Sequence, residues 1–135
     1  MIEREIVSVE IYCLIATAVL LLALAIVSTA LYGGQVGNPA LTGNREGIAP
    51  PTGAAGRARR AHLNLLENAV PFALVILSAE VIGATSGVTQ TAALVFIVAR
   101  AVHAIFYVAG IPGIRTLAWL AGVVATIVIA IAIVA

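Results

Sequence analysis

The sequence predicts an all-α integral membrane protein, a four transmembrane helix up-down bundle, on three observations. Of 135 residues, 62% are hydrophobic and only 10% charged, whereas a soluble domain carries about a quarter charged residues; the mean hydropathy is +1.15. The apolar residues fall into four stretches, each long enough for a hydrocarbon core about 30 Å thick, which takes about 20 helical residues to cross. One long and two short connections join them, and short connections make neighbouring helices antiparallel. The seven basic residues are all Arg and the six acidic ones all Glu, so the net charge of +1 offers no broad basic field to nucleic acid. A single cysteine, Cys13, excludes an intrachain disulfide and a multi-cysteine metal site.

The chain reads as one membrane domain over residues 1–135. Residues 11–44 carry no charge, and their apolar part predicts a first span over about 8–32, ended by Gly33 and Gly34. Ahead of it stand Glu3, Arg4, Glu5 and Glu10 rather than a basic n-region, and the apolar run is too long for a signal, so a retained helix is expected. Residues 33–56 hold seven glycines and three prolines with Arg45 and Glu46, a composition that reads as an irregular loop. The second span, 57–83, emerges from Arg57, Arg59 and Arg60. A short turn over 84–87 leads to the third, 88–109. After the break at Ile111-Pro112-Gly113 comes the fourth, 113–135, with Pro112 suited to a first helical turn. Arg45, Arg57, Arg59, Arg60 and Arg115 fall at two connections on one side of the bundle. By the positive-inside rule that side is cytoplasmic, and both termini lie outside the cytoplasm.

Charged side chains at membrane depth face a bundle interior or a cavity. At about 1.5 Å per residue, Glu67 on span two lies about 15 Å deep and Arg100 on span three about 13 Å, which suggests a buried ion pair. Arg60, Asn64 and Glu67 share one helical face, as do Arg100, His103 and Tyr107. The same arithmetic matches Asn64 with His103 and Arg60 with Tyr107. The two stripes therefore read either as interhelical glue or, with Arg115 at the mouth, as a ligand cleft open to the cytoplasm. Pro71 removes a helical hydrogen bond and suggests a bend. His62 beside Arg60 reads as a surface group, a hydrogen bonder or a proton carrier. Glu10 and Glu80 read as interfacial, and Trp119 as a packing or lipid-contact residue.

The string Arg60-Ala61-His62-Leu63-Asn64-Leu65-Leu66-Glu67-Asn68-Ala69-Val70-Pro71-Phe72, followed by Arg100, His103, Tyr107 and Arg115, resembles the MAPEG family, the membrane-associated proteins in eicosanoid and glutathione metabolism. It is most similar to the microsomal glutathione transferase and prostaglandin E synthase branch, and the whole to short bacterial members. The resemblance implies a homotrimer in a bacterial inner membrane, with glutathione bound as co-substrate between subunits at the cytoplasmic side. It carries glutathione contacts to Arg60, Asn64, Glu67, His103, Tyr107 and Arg115. The catalytic role falls to Arg115 as thiolate stabiliser, with Tyr107 as a hydrogen-bond donor and Thr116 a weaker candidate; Arg100 keeps its buried pairing with Glu67. The chain departs from the family in two places. Gly33, Gly34, Gln35 and Gly37 stand where an Arg often ends helix one, and Leu63 stands where some synthases have Arg.

The function so implied is a glutathione-dependent transferase or peroxidase acting on small lipophilic electrophiles that arrive through the bilayer. A nonenzymatic lipid-binding or scaffold member of the family is the second reading. The third, a small multidrug-type transporter subunit, wants a carboxylate free to titrate, which pairing of Glu67 with Arg100 would prevent.

Overall fold

The computed structural model describes residues 7–135; Glu3, Arg4 and Glu5, on which the expectation of a retained N-terminus drew, lie outside them. Five helices follow in order: α1 Val9–Val36, the short α2 Asn38–Thr42, α3 Gly53–Ile82, α4 Gly87–Ala109 and α5 Pro112–Val134. Four of them are long and apolar enough to cross a membrane. Among the described residues there is no strand.

The helix ends differ from the sequence reading in informative ways. α1 runs on through Gly33 and Gly34 to Val36, because an interior glycine weakens a helix by only about 1 kcal/mol, and it ends where Gly37 takes φ 84°. The 33–56 segment is not wholly irregular, since it holds α2. α3 begins at Gly53, one turn before the expected start at Arg57. α3 also continues through Pro71. Pro112 occupies the first turn of α5. At the other end of the bundle, Ser86 and Thr89 form a reciprocal capping box that starts α4.

The backbones of α3 and α4 each come close to all three other spans, whereas those of α1 and α5 do not approach each other closely; α5 packs chiefly on α4, and α1 on α3. Polar groups on the inner faces of α3 and α4 are therefore placed at the centre of the bundle. Small residues fill these interfaces. Ala55, Ala58, Ala61 and Ala79 on α3, Ala93 on α4 and Ala125 on α5 are buried, which lets helix backbones approach where lipid supplies no hydrophobic drive. Two apolar clusters result. One toward the α3–α4 turn contains Phe72, Ile76, Phe96 and Ile129, with the Phe72 and Phe96 rings stacked at 3.7 Å. The other, toward the loop, contains Leu24, Ala61, Leu65 and Ala104. Large apolar side chains such as Leu22, Ile26, Leu74 and Leu117 point outward, as lipid contact requires.

Glu10, in the first turn of α1, faces into the bundle. It is 0% exposed, and its Oε1 accepts the Thr89 hydroxyl at 2.6 Å, while its Oε2 has no partner among the described residues. Its neighbour Glu80 is half-buried and accepts from the Ser8 hydroxyl. Ser8 is also the N-cap of α1, so the start of that helix is tied to α3 and α4 by two polar contacts.

Candidate functional site

Arg57 and Gly110 order the loop end. Gly110 closes α4 in the left-handed region at φ 82°, and the Arg57 side chain lies over it, donating from Nε to the Val108 carbonyl at 2.9 Å. A cation thus satisfies the carbonyl end of α4. The tight turn from Gly110 to Pro112 then brings the first turn of α5 beside the last turns of α4.

Within this corner Asn64, His103, Tyr107, Arg115, Thr116 and Trp119 line a polar cleft of about 180 Å³. Each helix contributes one face: His103 and Tyr107 are four apart on α4, and Arg115 and Trp119 are four apart on α5. The Arg115 guanidinium carbon lies 4.4 Å from the centroid of the Tyr107 ring, a cation–π contact. The His103 and Tyr107 rings meet edge to face at 5.3 Å, and His103 is buried.

Arg100 forms the floor. It is 0% exposed, its Nη2 donates to Asn64 Oδ1 at 2.5 Å, and its Nε and Nη1 have no partner among the described residues. Its aliphatic portion packs on Gly122, where an added Cβ would lie 3.0 Å from Arg100 Cδ. With Oδ1 committed to Arg100, Asn64 keeps its amide nitrogen as a donor. The lining therefore offers the Arg115 cation, the Tyr107 hydroxyl, the Asn64 amide and the Trp119 indole N–H, and it contains no carboxylate. Such a donor set suits an anionic polar ligand. The Thr116 hydroxyl donates back to the Pro112 carbonyl at 3.0 Å, so its proton is not directed at a ligand.

Four of the expected contacts, Asn64, His103, Tyr107 and Arg115, thus converge. Arg60 and Glu67 do not line the cleft; both are exposed on α3. The expected Glu67–Arg100 ion pair does not form within the chain, because successive helical residues turn by about 100°. Leu65 faces the core, which turns Glu67, two residues on, to the far side and leaves Asn64 within reach of Arg100. Depth along the span matched Glu67 to Arg100, but azimuth separates them. The objection to a transporter that rested on their pairing falls with it. Trp119 has a place the sequence reading did not give it, although its spacing from Arg115 was the available signal.

The MAPEG family model matches residues 9–135, nearly the whole chain. No curated protein and no solved structure matches it.

Proposed function

The chain belongs to the MAPEG family, which includes glutathione transferases and related membrane proteins, and on that premise we propose a glutathione-dependent transferase or peroxidase acting on small lipophilic electrophiles. The observation that carries the reading is the Arg115 guanidinium over Tyr107 in a donor-rich cleft without a carboxylate. The two carboxylates of the tripeptide take charge-assisted hydrogen bonds there, and the apolar bundle surface delivers the second substrate from the bilayer.

In conjugation the thiol releases its proton to solvent, the sulfur attacks the electrophilic carbon, and the leaving group departs with its bonding pair. In peroxide reduction the thiolate sulfur attacks the terminal oxygen, the O–O bond breaks and the alkoxide leaves as the alcohol on taking a proton; a second glutathione thiol then attacks the resulting sulfenic acid, forming the disulfide and releasing water. Arg115 stabilises the thiolate. A thiol of pKa about 8.5 is about 3% ionised at pH 7, and lowering it to about 6.5 gives about 75%. A Brønsted coefficient of about 0.45 returns about eightfold of that 25-fold gain, leaving about threefold. Most of the acceleration must then come from holding thiolate and electrophile together.

The functional unit in this reading is a homotrimer, with its loop side in the cytoplasm of a bacterial inner membrane. Two observations support assembly with a second copy, and the family resemblance supplies the number three. The cleft of about 180 Å³ is smaller than the roughly 300–1,000 Å³ of pockets that enclose a small molecule. Arg60 and Glu67 stand exposed on a membrane-crossing helix, where an uncovered charge is costly; a second copy covers them and completes the site.

Calorimetric titration of the detergent-solubilised protein with glutathione tests the activity class. Saturable binding that weakens on Arg115→Leu is expected. A folded protein that releases no heat with glutathione overturns the reading and favours a nonenzymatic lipid-binding or scaffold member. Native mass spectrometry tests the assembly, and a monomer or dimer across several mild detergents and nanodiscs overturns the trimer.

A further inference from the structure

We propose that the loop end carries a second site, separate from the cleft: a seat for an anionic phospholipid, with its phosphate between Arg45 and Arg59 and an acyl chain along α1. A recessed pocket of about 330 Å³ lies between α1, the loop and α3, with Ser28, Thr29, Tyr32, Arg45 and Arg59 in its lining. That volume is room for about ten water-sized groups and so accommodates a glycerol phosphate. The loop's one carboxylate, Glu46, does not line it.

The Tyr32 hydroxyl donates to the Ala49 carbonyl at 2.5 Å, but other donors around this pocket remain available. Arg45 sits at φ 63°, a region that residues other than glycine rarely adopt, and its Nε donates to the Leu41 carbonyl at 2.9 Å. That bond anchors the stem and leaves the two terminal nitrogens for a ligand. Thr17, Ser78, Thr91, Thr116 and Thr126 each donate to the carbonyl four residues back. Ser28 and Thr29 make no such bond among the described residues, so their hydroxyls are available to phosphate oxygens. A pair of guanidiniums with neighbouring hydroxyls is a strong acceptor set for phosphate.

What favours a lipid over a free phosphate is the space beneath. An apolar groove of about 580 Å³, lined by Ala25, Ile26 and Ala30 of α1, meets the pocket at Thr29, Leu41 and Arg45. From Ala30 back to Ala25 it descends about 7.5 Å along α1 away from the loop, the direction in which an acyl chain leaves its headgroup. Cations above and hydrocarbon below match the two halves of one molecule, and cations near a membrane surface select anionic headgroups.

The test is native mass spectrometry of the full chain released from nanodiscs of equimolar phosphatidylglycerol and phosphatidylcholine. Wild type is expected to retain phosphatidylglycerol selectively. Retention weakens about fivefold in Arg59→Gln and about thirtyfold in Arg45→Gln/Arg59→Gln, and it is lost in Ala30→Trp, which fills the groove. Thermal melts accompany each variant, and Arg59→Gln changes an exposed side chain that has no hydrogen-bond partner among the described residues, so folding does not limit that arm. Equal retention of both lipids, or retention unaltered by Arg59→Gln, overturns the proposal. Displacement of the lipid by millimolar inorganic phosphate assigns the pocket to a free anion and overturns it. Loss of oligomer mass rather than lipid mass in Ala30→Trp assigns the groove to a second copy and also overturns it.

Discussion

Among the described residues, two guanidinium nitrogens of buried Arg100 have no partner, and the third donates to Asn64. A hydrogen bond to a charged group is worth about 1.5–3 kcal/mol. Asn64→Leu is expected to destabilise the protein by about that amount. In a double-mutant cycle of detergent melts, Asn64→Leu and Arg100→Leu should couple strongly. Glu67→Gln and Arg100→Leu should add to within about 0.5 kcal/mol; coupling to Glu67 in place of Asn64 would show the assignment to be wrong. Arg115 is held by the ring of Tyr107, which separates two roles of that tyrosine. Tyr107→Phe keeps the ring and should preserve most of the thiolate absorbance of bound glutathione. Arg115→Leu should abolish it and raise the pH at which conjugation turns on, because an unassisted thiol ionises only near its ordinary pKa of about 8.5. An unchanged pH profile in a folded Arg115→Leu protein would transfer the role to Tyr107.

Among the elements, α4 ties the two ends of the bundle together. Near the α3–α4 turn, Thr89 is the only partner of buried Glu10 among the described residues. Thr89→Val keeps the shape and removes the hydroxyl, which leaves the carboxyl group without any partner. A loss of about 1–3 kcal/mol is expected, with Thr89→Ser restoring stability; equal melts for wild type and the Val variant would count against this contact. Near the loop, α4 and α5 approach closely because Gly122 leaves room for the Arg100 stem. Gly122→Val crowds that stem and should cost about 1–3 kcal/mol through overpacking, even though Val is intrinsically the better helix former. Calorimetry should show the same variant weakening glutathione binding, since the floor of the cleft is displaced; a melt unchanged from wild type would rule out the crowding.

For the whole molecule, the separation of an inward polar corner from an outward charged face sets the expected assembly. Arg60 and Glu67 add nothing to the fold of one chain, yet on an exposed membrane helix they demand cover. Arg60→Gln with Glu67→Gln is therefore expected to leave the helical circular dichroism unchanged while native mass spectra shift from trimer toward monomer. A trimer insensitive to both changes would remove these residues from the interface.

The sequence alone determined that the chain is helical and membrane-crossing, how many spans it has, and at which end its polar residues gather. These follow from properties that run along one dimension: the length of an apolar run, the placement of Gly and Pro, and the rise of a helix. Family membership was equally legible, in the string from Arg60 to Phe72 with Arg100, His103, Tyr107 and Arg115. The tertiary structure decided which side chains meet. Depth is a coordinate that spacing supplies, but contact also requires azimuth and the order in which helices neighbour one another. Asn64 rather than Glu67 therefore reaches Arg100, and Trp119 joins the cleft. The inward aim of Glu10 was decided in the same way, because its face of α1 is turned toward Thr89 on a helix far away in sequence.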